Sequence, residues 1–286
     1  LHVFYGGHNK KMRYSRSSKP LSNDDWEDYT SRLPYTESTY PQLFVMSDGT
    51  IYSFYRRKTH RGNWSYVTSK DNGRTWSKEV HVLDGRSPPG NGWYTAFTKD
   101  PNRDHIHLMF LWHASKDNLS HSRRNLYYMH MDHSAGKWTS MKNEKLNTPL
   151  SFEEANESVM IFDSKNKYSS IPQHWVTVDG RPVGLNRISE DDGVAIRHLH
   201  VWTGETWRTQ KVPIDVMLKP TKKEWVGFRS REGTVQRFTS KDEGAHWIPG
   251  RVILKTDGEQ NLNALFAEAH PDAVLVIVDK VDEHRV

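Results

Sequence analysis

The chain has 286 residues, 35% hydrophobic and 26% charged, with 40 lysines and arginines against 35 acids and a net charge of +5. A chain of this length can bury a large core, its mean hydropathy of −0.82 suits short strands joined by polar loops, and no apolar run approaches the length of a membrane helix. The lack of cysteine excludes disulfide and thiol chemistry but leaves the compartment open, and the basic balance favours an acidic partner, either a polysaccharide or a nucleic acid.

Alternating apolar and polar residues, punctuated by Asp-Gly turns, predict an all-β fold of short antiparallel strands. The first element, His2-Val-Phe-Tyr-Gly-Gly-His8-Asn9, ends a strand with two glycines that permit close backbone approach and then presents a His-Asn pair; a plain turn with a solvated histidine is the alternative. Residues 40–46 and 51–55 flank Asp48-Gly49 as a hairpin. The start of one antiparallel strand lies beside the end of its partner, so Tyr40 and Arg56 are expected to meet at one rim, unless they form only a surface pair.

Next comes Ser69-Lys-Asp71-Asn-Gly73-Arg-Thr75-Trp76, which recurs as Ser240-Lys-Asp242-Glu-Gly244-Ala-His-Trp247. Its Ser and Asp side chains are suited to bonding the backbone of a tight turn, and its Gly supplies a permissive φ. Tyr94 opens the following unit as Tyr40 opens its own, and His113 closes the partner strand as Arg56 does. All four are therefore expected on one face, with Asn9, Arg57, Trp93, Arg124 and Asn125 lining a glycan-sized cleft around them. Phe152-Glu-Glu-Ala-Asn-Glu-Ser158 alone reads as helical. Beyond it, residues 174–178 and 182–185 flank Asp179-Gly180 as a second hairpin, and residues 262–266 and 273–278 form a last strand pair. Trp26, Trp76, Trp138, Trp207 and Trp247 close successive units of roughly 40 to 70 residues, the size of propeller blades with loop insertions. A sixth unit begins after them, and residues 1–286 read as one domain.

The paired boxes resemble the Asp-box of the BNR repeat, and the run from His2 to about Tyr128 (Gly-Gly-His8-Asn9, Thr39-Tyr40-Pro41-Gln42, Tyr55-Arg56-Arg57 and the first box) is similar to the BNR-repeat β-propellers that include the propeller-fold polysaccharide lyases, the ulvan lyases among them. The resemblance implies a β-propeller of four-stranded antiparallel blades, seven when complete and five to six represented here, so that the chain is expected to be a fragment truncated at one or both ends, the N-terminus first. It further implies a monomer, secreted or periplasmic, that cleaves an anionic, uronate-containing polysaccharide by β-elimination with no cofactor in the chemistry. By the same resemblance His8 matches the family's Gly-His-Asn histidine, Tyr40 the proton-transferring tyrosine, Arg56 the uronate-binding arginine and Tyr94 a further cleft tyrosine. Another family histidine, in an Asp-His-Asn segment, would fall before Leu1.

Such residue types suit elimination. The charge of a uronate carboxylate opposes removal of the adjacent proton, an arginine or protonated histidine offsets that charge, and a tyrosine can carry the proton. Two other readings use the same aromatics and arginines: a non-catalytic glycan-binding propeller, and a sialidase-like hydrolase, although no Phe/Tyr-Arg-Ile-Pro segment is present. Nucleic acid is disfavoured because basic residues are dispersed among acids without a binding module. The pairs His105-x-His107 and His198-x-His200 are compatible with a structural metal, but no third ligand is legible and exposed strand histidines explain both.

Overall fold

In the computed structural model, which describes residues 1–20, 22, 24–59, 61–85, 92–114, 123–190, 193–256, 262–266 and 275–279, the two Ser-x-Asp-x-Gly boxes form the same turn. The Ser69 hydroxyl donates to Asp71 at 2.9 Å and accepts the Gly73 N–H at 2.8 Å, while Asp71 accepts the Thr75 N–H and hydroxyl at 2.8 and 2.6 Å. Ser240, Asp242, Gly244 and His246 repeat the pattern. These donors hold the Asp71 carboxyl down at about 2 and Asp242 lower still. Trp76 leaves the first turn to meet Phe4 and Tyr14 edge-on.

The chain divides into two compact units, residues 1–99 with 104–166 and residues 100–103 with 167–286. The first holds three antiparallel sheets. Strands β1 (His2–Tyr5), β3 (Arg13–Ser17) and β4 (Trp26–Asp28) form one, with β2 (His8–Lys11) leaving it to join β5 (Glu37–Val45), β6 (Ile51–Arg57), β7 (Trp64–Ser69) and β8 (Val80–Leu83) in the order β2-β5-β6-β7-β8. The third runs β12-β11-β10-β9, built from β9 (Gly92–Lys99), β10 (His105–His113), β11 (Arg123–Asp132) and β12 (Lys137–Thr139); α1 (Phe152–Ser158) then leads to β13 (Met160–Phe162), which pairs with β11. Consecutive side chains point to opposite faces, and β6 is buried on both: Phe54 packs on Phe97 at 4.3 Å, while Tyr55 stacks on Tyr35 at 3.7 Å. The helix begins at a Ser151–Glu154 capping box.

The second unit contains the meanders β14 (Gln173–Val176), β15 (Pro182–Ser189), β16 (Ala195–Trp202), β17 (Trp207–Val212) and β18 (Val216–Met217), β19 (Trp225–Arg231), β20 (Thr234–Ser240), β21 (Ile248–Lys255), then the pair β22 (Leu262–Phe266) and β23 (Leu275–Asp279). Four-stranded antiparallel meanders are propeller blades, as expected, although two sheets carry a fifth strand. Both Asp-Gly hairpins form, with Gly49 and Gly180 at φ +82° and +87°. The tryptophan pattern holds less evenly: Trp138 is core, whereas Trp26 is 40% exposed on β4.

Gly73 should tolerate no side chain. Its φ is +80°, and an added Cβ would lie 1.9 Å from the Tyr14 hydroxyl, so Gly73→Ala is expected to cost about 1–3 kcal/mol or more of unfolding free energy, read as a lowered melting temperature. The Asp71 carboxyl is depressed on folding, so its contribution to stability is present above the unfolded value near 4 and is lost as pH falls through about 2. Melting curves of Asp71→Asn should therefore show a shallower acid limb than the parent between pH 4 and 2.

Candidate active site

Three bulges at one edge of the first unit's sheets carry the site. At β2–β5 the register passes from His8↔Thr39 to Lys10↔Ser38, leaving Asn9 as the extra residue; at β5–β6 it passes from Thr39↔Arg56 to Gln42↔Phe54, so Tyr40 and Pro41 oppose Tyr55. At β10–β11, Asn125 and Leu126 oppose Leu111. Asn9, Tyr40 and Asn125 have φ of 56°, 57° and 59°. A left-handed residue in a bulge re-aims its side chain, and Pro41, which has no N–H, can sit in a strand at such a break. For tyrosine this conformation is a local strain of order 1–3 kcal/mol. Thr39 locks the first bulge by accepting the Asn9 N–H at 2.9 Å and donating to Asn9 Oδ1 at 3.0 Å.

Tyr40, re-aimed in this way, lies over Arg56. The guanidinium carbon is 5.0 Å from the Tyr40 ring centroid and 5.3 Å from that of Tyr94, and the two rings are 6.1 Å apart. His8 approaches Tyr40 at 5.7 Å and His113 meets Tyr94 edge-on at 5.3 Å, so the four expected catalytic residues and His113 do converge. Tyr40 is 39% exposed, His8 is exposed, and Arg56 is 1% exposed. Two participants were not among the expected residues. Trp64 lies parallel to the Tyr40 ring at 6.5 Å, and the Arg123 guanidinium stands over the Tyr94 ring at 5.0 Å.

Several expected lining residues are engaged elsewhere. Trp93 is 0% exposed, packs on Trp112 at 4.7 Å and donates its indole N–H to the Asp84 carbonyl. It adjoins Tyr94 in a strand and so faces the other way. Arg57 likewise turns away from Arg56 and pairs with Glu79 at 3.0 Å, whose other oxygen accepts the Tyr55 hydroxyl. Arg124 donates to Asn166, and the Asn125 side chain bonds Ser164 and Tyr127, bracing the third bulge. Of the histidine pairs, His200 has both ring nitrogens engaged, by Thr209 and Asn186. His105 and His107 bring ring nitrogens within 4.8 Å of each other, and His130, held down at about 4 by burial and by His105, stacks on His107 at 5.8 Å. The His107 Nδ1 is itself bonded to the Tyr128 hydroxyl at 2.6 Å.

The electrostatic centre is Arg56. Its Nε and Nη1 are buried and have no hydrogen-bond acceptor among the described residues, nor does it form an ion pair with them. An uncompensated buried charge costs several kcal/mol, against which two cation–π contacts return about 0.5–2 kcal/mol each. A carboxylate would supply the missing acceptors through a forked pair of charge-assisted bonds. Accordingly Arg56→Met, which removes the charge and keeps the volume, should leave thermal stability unchanged or raise it by up to about 2 kcal/mol; a melting temperature several degrees lower would mark Arg56 as a structural group.

Residues 1–214 match the model of a BNR repeat-containing family member. The chain is 27% identical to an ulvan lyase of Nonlabens ulvanivorans over 98% of this chain and 68% of the relative, and 24% identical to the ulvan lyase (PL25) of Pseudoalteromonas sp. strain PLSV over 100% and 67%. It spans about two thirds of the length of these relatives. Its fold is that of a PL25 ulvan lyase structure solved with -[GlcA(1-4)Rha3S]- bound, with a TM-score of 0.81 at 24% identity over 98% of this chain and 73% of that one. A sialidase from Trypanosoma rangeli is more distant, with a TM-score of 0.51 at 13% identity over 96% of this chain and 47% of that one. With the family model covering three quarters of the sequence and the Asp-box turns formed as read, the chain belongs to the BNR repeat-containing family.

Proposed function

We propose that the protein is a polysaccharide lyase that cleaves a uronate-containing, ulvan-like polysaccharide by β-elimination. The observation that carries this reading is the buried Arg56 guanidinium, short of acceptors and framed by Tyr40 and Tyr94. Its chemistry calls for an anion, and the similarity to ulvan lyases names the class.

Arg56 receives the uronate carboxylate, which lowers the cost of the second negative charge that builds up when the adjacent carbon loses its proton. Tyr40, exposed above Arg56 and in contact with His8, is placed to take that proton. The electron pair of the C–H bond becomes a carbon–carbon double bond, the C–O bond to the neighbouring sugar breaks, and the departing oxygen is protonated by a tyrosine. The products are an unsaturated uronate and a new free hydroxyl, with no water consumed. His8 and Tyr94 orient the sugar, and Trp64 lies parallel to the Tyr40 ring. Because such polymers lie outside cells, we also place the protein in a secreted or periplasmic setting.

The test follows ultraviolet absorbance of the conjugated uronate product on a panel of anionic polysaccharides. The protein should raise absorbance on ulvan, and Tyr40→Phe should lower kcat by about 10²-fold or more, the usual worth of a positioned proton carrier. A folded protein that leaves every uronate polymer unsaturated-product-free would contradict the reading.

A further inference from the structure

One hairpin of the site is written twice in the chain. Ser38-Thr39-Tyr40-Pro41-Gln42 leads through Asp48-Gly49 to Arg56, and Ser169-Ser170-Ile171-Pro172-Gln173 leads through Asp179-Gly180 to Arg187, with the same offset at every shared position. The two copies, one in each unit, also fold alike. Gln42 pairs with Phe54 and Ser38 with Arg57, while Gln173 pairs with Leu185 and Ser169 with Ile188. In both hairpins three residues therefore oppose two, and the strand bulges just before the glutamine. Each glutamine side chain then accepts a backbone N–H from the next sheet of its own unit, that of Phe97 at 3.1 Å and that of Met217 at 3.3 Å.

At the bulge the copies part. Tyr40 is left-handed, at φ 57°, and lies over Arg56, which is 1% exposed; Ile171 has no positive φ, and Arg187 is exposed. Two differences accompany this. The second copy has a β-branched residue at the bulge, which disfavours the left-handed region. In addition β5 is flanked by β2, whereas among the described residues no strand lies along the outer edge of β14. The hydroxyl that precedes the bulge follows the second difference. Ser170 accepts the Arg187 N–H at 2.9 Å, from the partner strand of its own hairpin. Thr39 turns outward instead, accepting the Asn9 N–H at 2.9 Å and donating to Asn9 Oδ1 at 3.0 Å, with the Lys58 carbonyl farther off at 3.4 Å. Thr39 is 0% exposed, so its hydroxyl reaches no sugar and acts through its neighbours. Those neighbours are the site: Asn9 follows His8, Thr39 precedes Tyr40, and the His8 and Tyr40 rings are 5.7 Å apart.

We propose that the Thr39 hydroxyl is a positioning group for the elimination: clamped on Asn9 of β2, it holds Tyr40 left-handed, over Arg56 and beside His8. A left-handed tyrosine persists only where surrounding contacts over-determine it, and this clamp is a contact that the second hairpin lacks. The inference rests on the reading of Tyr40 as the proton carrier. The second hairpin, with isoleucine in that place, keeps the shape of the first and has no group there to carry a proton.

The test compares Thr39→Val, which keeps the shape and removes the hydroxyl, with Thr39→Ser, which keeps the hydroxyl, each assayed on ulvan well below its melting temperature. Thr39→Val should lower kcat about tenfold or more and leave KM within about twofold, because Arg56 still takes the carboxylate, while Thr39→Ser should keep kcat within about threefold of the parent. Equal losses in both variants, or a raised KM with kcat unchanged, would overturn the proposal, as would a Thr39→Val enzyme as fast as the parent. A crystal structure of Thr39→Val gives a reading without turnover. Tyr40 should leave positive φ and its ring should move off the guanidinium; a left-handed Tyr40 still 5.0 Å from it would overturn the proposal. Absence of elimination by the parent would refute the lyase reading, while the clamp is still judged by that structure. Asn9→Gly, which permits the φ of 56° and removes the Oδ1 acceptor, takes the place of Thr39→Val should the latter fail to fold.

Discussion

A guanidinium that is buried with no anionic partner among the described residues is an expense that the rest of the first unit is arranged to sustain. Arg56 enters the interior because β6 is a central strand, covered on both faces by aromatic side chains. Its charge is accommodated by the π-faces of Tyr40 and Tyr94 rather than by a carboxylate. An acidic neighbour would satisfy the guanidinium and also compete with an anionic ligand for it. Aromatic faces attract a cation without occupying its N–H groups, so the donors stay directed by the scaffold and unspent.

The geometry that achieves this depends on a division between the two ends of each strand. At one end lie the Asp48-Gly49 turn and the first Asp-box, closed by local hydrogen bonds and continuous with the packed Trp76. At the other end the ladders are broken by bulges at Asn9, Tyr40 and Asn125, each in a left-handed conformation and two of them clamped by side-chain bonds. Regular pairing would alternate side chains strictly between faces. The break at Tyr40-Pro41 is what lets a residue next to Thr39 turn its ring over Arg56, the partner of Thr39. Rigidity at the box end lets the rim carry that strain.

Much of this arrangement is legible in the sequence. The two boxes, the Asp-Gly hairpins and the capped helix are local patterns whose hydrogen bonds close within a few residues, so they can be read without knowing the fold. Residue counting around Asp48-Gly49 also brings Tyr40 to Arg56. What counting cannot tell is which of two adjacent aromatics or arginines faces the cleft: Trp93 went to the core and Arg57 to Glu79, while Trp64 and Arg123 joined the tyrosines. The bulges decide those outcomes by shifting register, and their signals are faint: a proline inside a strand at position 41, and asparagines, tolerant of positive φ, at positions 9 and 125. The division into two compact units has no mark in composition at all.

The account turns on Arg56 meeting a carboxylate, and a thermodynamic cycle tests that most directly. Affinity for an ulvan oligosaccharide and for its carboxyl-reduced counterpart would be measured with the parent protein and with Arg56→Met. If guanidinium and carboxylate act as one pair, reducing the sugar should weaken binding to the parent by at least tenfold and leave binding to Arg56→Met almost unchanged, a coupling energy of about 1.4 kcal/mol or more. Equal losses with both proteins would mean that the carboxylate binds elsewhere, and would contradict the account.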